Sequence, residues 1–392
     1  MSRVATSRRS AHGATLGRAD RAASSVRHLY VHLPFCAHRC GYCDFVTAVG
    51  RVDEHGAYAD ALVRELGRER WRLASDVETV FVGGGTPTFT EPATLRRVLA
   101  ALPEAREVTV EANPETVTPG LAALLREGGV TRVSLGAQSF DPRLLGVLER
   151  VAGPDDVRGA VHTLRDAGFD NISLDLLYGI PGQSPAGLDA DLAEALALEP
   201  DHLSCYELEA KPGTRFTHAH GKELARQADA MEGYAERVVE TLTAAGYRWY
   251  ETANFCRDDG VRDLRAHHNL AIWRGADYLG IGVGAVSTLA NERRRNAPSV
   301  GRYVAALASD RDPPREIECL DDGTRAVERL MLGLRLDEPL ALDETTGVRE
   351  AIDAKALERL VERELVERLD GGVRLSPRGR LLGGAVTAEL LV

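Results

Sequence analysis

Three cysteines lie within eight residues, in the run Cys36-Ala-His-Arg-Cys40-Gly-Tyr-Cys43. Three thiols this close cannot pair off as disulfides. As thiolates they suit a metal of soft preference. Zinc in a structural site takes four ligands, and His32 or His38 could complete one here. An electron-transfer iron–sulfur cluster usually takes four cysteines. Three would leave one iron of a 4Fe–4S cluster open to a further ligand.

Other residues with chemical potential recur at regular intervals. Gly83-Gly84-Gly85-Thr86-Pro87 would let the backbone approach a ligand closely, since glycine tolerates unusual φ and carries no side chain. Glu111 is an acid placed to accept bonds from a ribose or an ammonium. Gln138, Arg150 and Asp175 supply an amide, a cation and an acid, and an arginine suits a carboxylate bidentately.

The elements that must position these groups follow from hydrophobic alternation. Strands are expected over 29–33, 79–82, 107–111, 132–135, 171–174 and 202–206. Helices are expected near 53–74, 91–101, 118–128, 154–167, 186–198 and 226–245. Thr118-Pro119 reads as an N-cap followed by proline at the first helical position, and Ala167-Gly168 as a helix end. Six strand–helix units imply a parallel sheet with right-handed crossovers. Six is two short of a closed eight-fold barrel, so the fold class is α/β, an open partial (β/α)6 barrel. The cysteine loop, the glycine run, Glu111, Gly136-Ala137-Gln138 and Asp175 then all fall at carboxyl ends of strands, where such folds collect their chemistry.

Four segments are expected. Residues 1–27 form a disordered tail, rich in Ser, Ala and Arg; a transit peptide is the alternative. The barrel runs over 28–245. An extension over 246–315 holds His267-His268-Asn269 and the glycine-punctuated Gly280–Gly284. Residues 316–392 form a small helical unit with a winged-helix-like β wing.

The chain of 392 residues is 44% hydrophobic and 27% charged. No apolar run reaches about 18 residues, so no membrane span is expected. The net charge of −11 argues against nucleic-acid binding, and a packing or partner role fits the acidic wing region better than DNA. Cys205, Cys256 and Cys319 are scattered and suggest no disulfide framework, which points to a cytoplasmic protein.

The cysteine spacing and the glycine run one strand–helix unit downstream resemble the radical S-adenosylmethionine (SAM) enzymes. More narrowly, Leu-Tyr-Val-His-Leu-Pro-Phe-Cys, Gly-Gly-Gly-Thr-Pro-Thr, Glu-Ala-Asn-Pro-Glu, Ser-Leu-Gly-Ala-Gln-Ser-Phe and Leu-Asp-Leu-Leu-Tyr-Gly-Ile-Pro-Gly resemble the oxygen-independent coproporphyrinogen III oxidase family, which has a heme-chaperone branch. The resemblance runs from about residue 28 to the end. It implies a 4Fe–4S cluster on Cys36, Cys40 and Cys43. It implies SAM contacts from Tyr30, Gly84, Gly85, Thr86 and Glu111, and second-SAM positions at Gln138, Arg150 and Asp175. Pro34-Phe35 and Phe45 are expected to shield the cluster, and Tyr42 to lie against the adenine.

The oxidase continues CxC at the third cysteine, whereas here Cys43 is followed by Asp44-Phe45. That is similar to the chaperone branch, which implies heme as ligand and a hemoprotein acceptor as partner. His268-Asn269-Leu-Ala-Ile272-Trp273 is similar to the chaperone motif HNxxYW, making His268 the candidate heme ligand. Three positions depart from the pattern. Ala152 and Val286 stand where relatives tend to have histidine, and Ile272 where they have tyrosine. The alternative functions are oxidative decarboxylation of coproporphyrinogen III and a related SAM-dependent radical transfer.

Overall fold

The computed structural model describes residues 25–211, 215–343 and 346–392. The expected tail lies, up to residue 24, outside them. Six parallel strands form the wall: β1 (His28–Leu33), β2 (Thr79–Gly84), β3 (Glu107–Ala112), β4 (Arg132–Gln138), β5 (Ile172–Tyr178) and β6 (His202–Glu207). They pair in sequence order, and α1 (His55–Glu69), α2 (Pro92–Ala101) and α3 (Pro119–Glu127) cross between the first four. The short α4 (Pro142–Val147) and α5 (Pro154–Asp166) follow β4, and α6 (Pro185–Ala197) follows β5.

The period of two along each strand sorts the side chains. On β1, Leu29, Val31 and Leu33 are fully buried beneath the helices, while His28, Tyr30 and His32 alternate onto the inner face. On β2, Val80 and Val82 do the same and Thr79 and Phe81 face inward. The outer face carries the apolar core; burying one such Leu or Val is worth roughly 1.5–3 kcal/mol. The inner face is polar and forms a lumen.

Beyond β6 the chain adds α7 (Arg215–Gln227), α8 (Met231–Ala244), β7 (Tyr247–Glu251) and β8 (Asn254–Arg257). β8 pairs antiparallel with both β6 and β7. A short helix, α9 (His267–Trp273), leads to β9 (Leu279–Ile281), which returns to pair parallel with β1. The six expected wall strands are therefore present, as is a further strand expected at Tyr247–Glu251, within a nine-stranded sheet. A small sheet of β10 (Val286–Leu289), β11 (Glu292–Asn296) and β12 (Arg315–Cys319), with α10 (Val300–Ala308), completes the extension.

The extension shares the barrel's core through Leu279, Ile281 and Tyr303. Buried Glu65 on α1 fastens it, accepting the Tyr303 hydroxyl at 2.6 Å, the Gly282 amide at 2.8 Å and the Asn296 amide at 2.8 Å. Residues from Ala326 onward build a separate core. That unit has α11 (Asp322–Gly333), α12 (Ala354–Glu362), α13 (Pro377–Leu381) and α14 (Gly383–Leu390) around three short strands, including the expected wing over 366–369 and 372–375.

The expected caps hold. The Thr118 side chain accepts from the Leu121 amide ahead of α3, and Gly168 takes φ +84° after α5. Helices α4 and α7 have no counterpart among the expectations. The first is only six residues long. On the second, Phe216 is the one buried residue, so no apolar stripe announces it.

Candidate SAM and cluster site

The mouth of the barrel is built by the loops after β1 and β2. Gly85 donates to Leu33 O at 2.8 Å and Thr86 to Phe35 O at 2.8 Å, so the glycine run lies flat against the cysteine loop. Only glycine fits there. A Cβ at Gly85 would sit 2.6 Å from Pro34 O and 2.9 Å from Cys36 Sγ. At Gly84, with φ +119°, a Cβ would enter the His32 ring at 2.7 Å.

Cys36 is buried and Cys40 and Cys43 are half-buried, all three as free thiols. They line one cavity of about 310 Å³ together with Gly85 and Thr86. Among the described residues no three metal-ligating side chains converge as a lone ion would require. Three thiols on one cavity are the donor set that a 4Fe–4S cluster with one open iron would use. Of the two histidines that the zinc reading could use, His38 lines this cavity and His32 is engaged elsewhere. His32 Nε2 bonds Val46 O at 2.9 Å and its Nδ1 bonds the Tyr30 hydroxyl at 3.0 Å, so neither nitrogen is free for a metal.

The cluster thiols are served by hydrogen bonds. Thr86 Oγ1 donates to Cys36 Sγ and Arg150 Nη1 to Cys40 Sγ, each at 3.5 Å. Burial pushes the Cys36 thiol up, and the Thr86 hydroxyl opposes this. Arg150, expected to face a carboxylate, is bonded within the chain instead. Its Nη2 donates to Gly136 O at 2.7 Å and to Asn113 Oδ1 at 3.1 Å. It thus ties the cysteine loop to the ends of β3 and β4.

Glu111 meets its expected place. Its Oε2 accepts the Gly84 amide at 3.0 Å. Burial, then the charge of Asp175, raises its pKa to about 7. Asp175 is also pushed up by burial, against hydrogen bonds from Ser204 and Ser134, the latter at 3.2 Å. Tyr30 stacks on Phe81 on the lumen wall, with centroids 6.1 Å apart. Gln138 takes φ +65° where the register between β4 and β5 breaks. The mouth therefore brings together Tyr30, Gly84, Gly85, Thr86, Glu111, Arg150 and Asp175, with Gln138 at the strand end.

One shielding expectation is corrected. Phe35 is buried, but Phe45 is 62% exposed and cannot keep water off the thiols. Tyr42 packs edge-on against Phe216 of α7, with centroids 6.5 Å apart. Sequence reasoning missed Asn113 and Arg132. Asn113 Nδ2 donates to Thr86 Oγ1 at 3.3 Å, linking Thr86 to Arg150. Arg132 starts β4, is 2% exposed, and its positive field holds down the carboxyls of Glu111 and Asp175. Its position at a strand start disguised it as a solvent-facing charge.

His268 lies elsewhere. Helix α9 plugs the opposite end of the barrel, at the strand starts. The Glu107 carboxylate accepts its His267 and His268 amides, each at 3.1 Å, a carboxylate at a helix N-terminus. His268 Nδ1 bonds Thr79 Oγ1 at 2.8 Å, and Thr79 Oγ1 also meets His28 Nδ1 at 2.9 Å. His268 Nε2 is sealed and without a partner, and burial pulls the ring's pKa down to about 3. The structure does not bring His268 to the SAM mouth. Ala152 is buried before α5, Ile272 is half-buried on α9 and Val286 opens β10.

Three thiols in the loop after β1, a glycine run after β2 and a strand-end acid on β3 define a radical SAM protein. Residues 30–195 match the radical SAM superfamily model, and residues 320–382 match the HemN C-terminal domain. The chain is 31% identical to the heme chaperone HemW of Bacillus subtilis over 93% of this chain and 99% of that one. It is 34% identical to the heme chaperone HemW of Mycobacterium tuberculosis, over 93% and 94%. The chain belongs to the heme chaperone HemW family. Its fold is that of the Escherichia coli coproporphyrinogen III oxidase HemN structure, with a TM-score of 0.79 and 23% identity over 96% of this chain and 93% of that one. Among the described residues no helix is long and apolar enough to cross a membrane.

Proposed function

We propose that this chain is a cytoplasmic heme chaperone that binds heme and hands it to a hemoprotein, with a SAM-binding 4Fe–4S cluster at the barrel mouth. The observation that carries this is the likeness, along almost the whole chain, to proteins named heme chaperones. The loop ending Cys43-Asp44-Phe45 supports it, since the oxidase pattern would put a further cysteine where Phe45 stands.

Cys36, Cys40 and Cys43 would hold the cluster, which, when bound, supplies the electron for SAM cleavage. Arg150 and Thr86 hold charge density on two of the thiols. The Gly84–Thr86 backbone and Glu111 would receive the amino and ribose groups of SAM. Glu111, with its pKa near neutrality, can take the deprotonated form when a cation arrives. Tyr30, fixed by His32, would border the adenosine.

The test is anaerobic cluster reconstitution with two assays in parallel. One loads heme and follows its transfer to an apo-hemoprotein. The other supplies SAM and coproporphyrinogen III and measures 5′-deoxyadenosine and decarboxylated product. Heme transfer without decarboxylation is expected. Stoichiometric decarboxylation would move the chain to the oxidase branch.

A further inference from the structure

The largest cavity between the two hydrophobic cores lies outside the barrel, not in its lumen. Its volume is about 520 Å³, within the roughly 300–1,000 Å³ of sites that bury a small-molecule ligand. One wall is the outer face of the barrel, with Trp249, Phe255 and Met231. The other is the C-terminal unit, with Met331, Leu375 and Arg380.

Three observations give this cavity a ligand. Trp249 and Phe255 are nearly parallel, 13° apart with centroids at 6.3 Å, and give the barrel side of the cavity an aromatic lining. Met231 and Met331 are the only methionines after residue 1, and both line it. Thioether sulfur is soft, packs well on aromatic rings and serves as an axial ligand to heme iron in other proteins. Arg380 is a buried cation, 6% exposed, whose guanidinium lies 3.6 Å over the Trp249 ring. Its Nη1 donates to Trp249 O at 2.8 Å, while Nε and Nη2 have no partner. Burial pulls its pKa down to about 10, although Asp337 and Glu251 lie near enough to oppose the shift. A buried guanidinium with unmet donors calls for an anion, and a carboxylate matches its fork. The acids on the lining, Glu207 and Glu232, are exposed and sit at the rim.

We propose that the cavity between the barrel wall and the C-terminal unit binds a planar apolar ring bearing carboxylates, the chemistry of a heme, with Arg380 receiving one carboxylate. This rests on the chaperone reading and gives it a location. It needs no displacement of α9, whereas iron ligation by His268 requires the sealed Nε2 to be uncovered. A ligand held between two units is released when they part, which suits delivery to an acceptor.

The test uses the full chain with its cluster reconstituted anaerobically. Heme b and its dimethyl ester, which keeps the iron, are titrated separately, reading the Soret band and tryptophan quenching. Wild type should bind heme saturably and prefer the free-acid ring to the ester by about tenfold or more. Arg380→Gln should erase that preference, and Ala235→Trp, which fills the cavity from α8, should weaken heme binding by about tenfold or more. His268→Gln should bind as wild type does. Met231→Leu with Met331→Leu should shift the Soret maximum. The ester comparison in the unaltered protein stands even where a variant fails to fold. Equal binding of acid and ester by wild type overturns the site, as does heme loss confined to His268→Gln. An absence of saturable heme binding by wild type overturns the chaperone reading itself.

Discussion

Glu111 Oε2 accepts the Gly84 amide across neighbouring strands, so this one buried acid shapes the glycine run. Its carboxyl, raised from 4.5 to about 7 by burial and by Asp175, binds a proton more tightly folded than unfolded. Stability from this group is therefore present below about pH 4.5 and is lost as pH rises to about 7. The loss is on the order of 3 kcal/mol, at about 1.4 kcal/mol per pKa unit. Glu111→Gln should flatten that decline in chemical denaturation without ligand. It should also weaken SAM binding by about tenfold, the value of one charge-assisted bond. A variant as pH-sensitive as wild type would remove Glu111 as the source.

Gly85→Ala tests the fit of the two loops. The new Cβ meets Pro34 O and Cys36 Sγ at under 3.0 Å. Overpacking of this kind costs about 1–3 kcal/mol, borne locally. Iron and sulfide content after reconstitution should fall steeply while far-ultraviolet circular dichroism stays unchanged. Gly146→Ala, with open space around it and, like Gly85, no positive φ, is the control for adding a Cβ away from the loop.

Arg150 carries a charge-assisted bond to Cys40 Sγ. Reduction adds negative charge to the cluster, and removing a nearby cation disfavours it. Arg150→Gln should lower the cluster midpoint potential, read by a dye-linked redox titration, and weaken SAM binding. Arg150→Lys keeps the charge without the two-nitrogen fork to Asn113 and Gly136, so it should restore the potential more than the SAM affinity.

His268 makes the floor of the barrel acid-sensitive. Its pKa falls from 6.5 to about 3 on burial, so the folded state keeps the ring neutral. Stability from this group is present above about pH 6.5 and is lost as pH falls toward 3. At about 1.4 kcal/mol per unit the effect is on the order of 5 kcal/mol. His268→Gln should show a shallower loss of stability between pH 6.5 and 4.5. An unchanged slope would assign the acid sensitivity to His28 and His202, which burial lowers in the same direction.

Local alternation made the wall legible, and distance hid the rest. The expected strand starts at 79, 107, 132 and 202 are those of the structure, because each opens an apolar–polar alternation. Strand ends ran longer than expected at Gly83-Gly84 and Gly136-Ala137-Gln138, where glycine interrupts the pattern that burial still completes. Strand β9 is three residues long and pairs with β1 some 250 positions earlier in the chain, so no local signal could place it. The cysteines, the glycine run and Glu111 declared themselves by spacing. Arg150 did not reveal its bonds to Gly136 and Asn113, which depend on how three separate loops meet. Phe45 looked like shielding because it is aromatic, but the chain turns it outward.

Helix α9 has a consequence for the order of events. With its amides on Glu107 and with His28, Thr79, His202 and His268 all buried around it, α9 closes the strand-start end of the lumen among the described residues. A molecule that comes in at the other end passes the cysteine loop on entry and on departure. SAM seated at that entrance would trap what lies beneath it and exclude what arrives later. Guests of the lumen are therefore bound to a first-in, last-out sequence, while a passenger on the outer wall can board and depart at any stage.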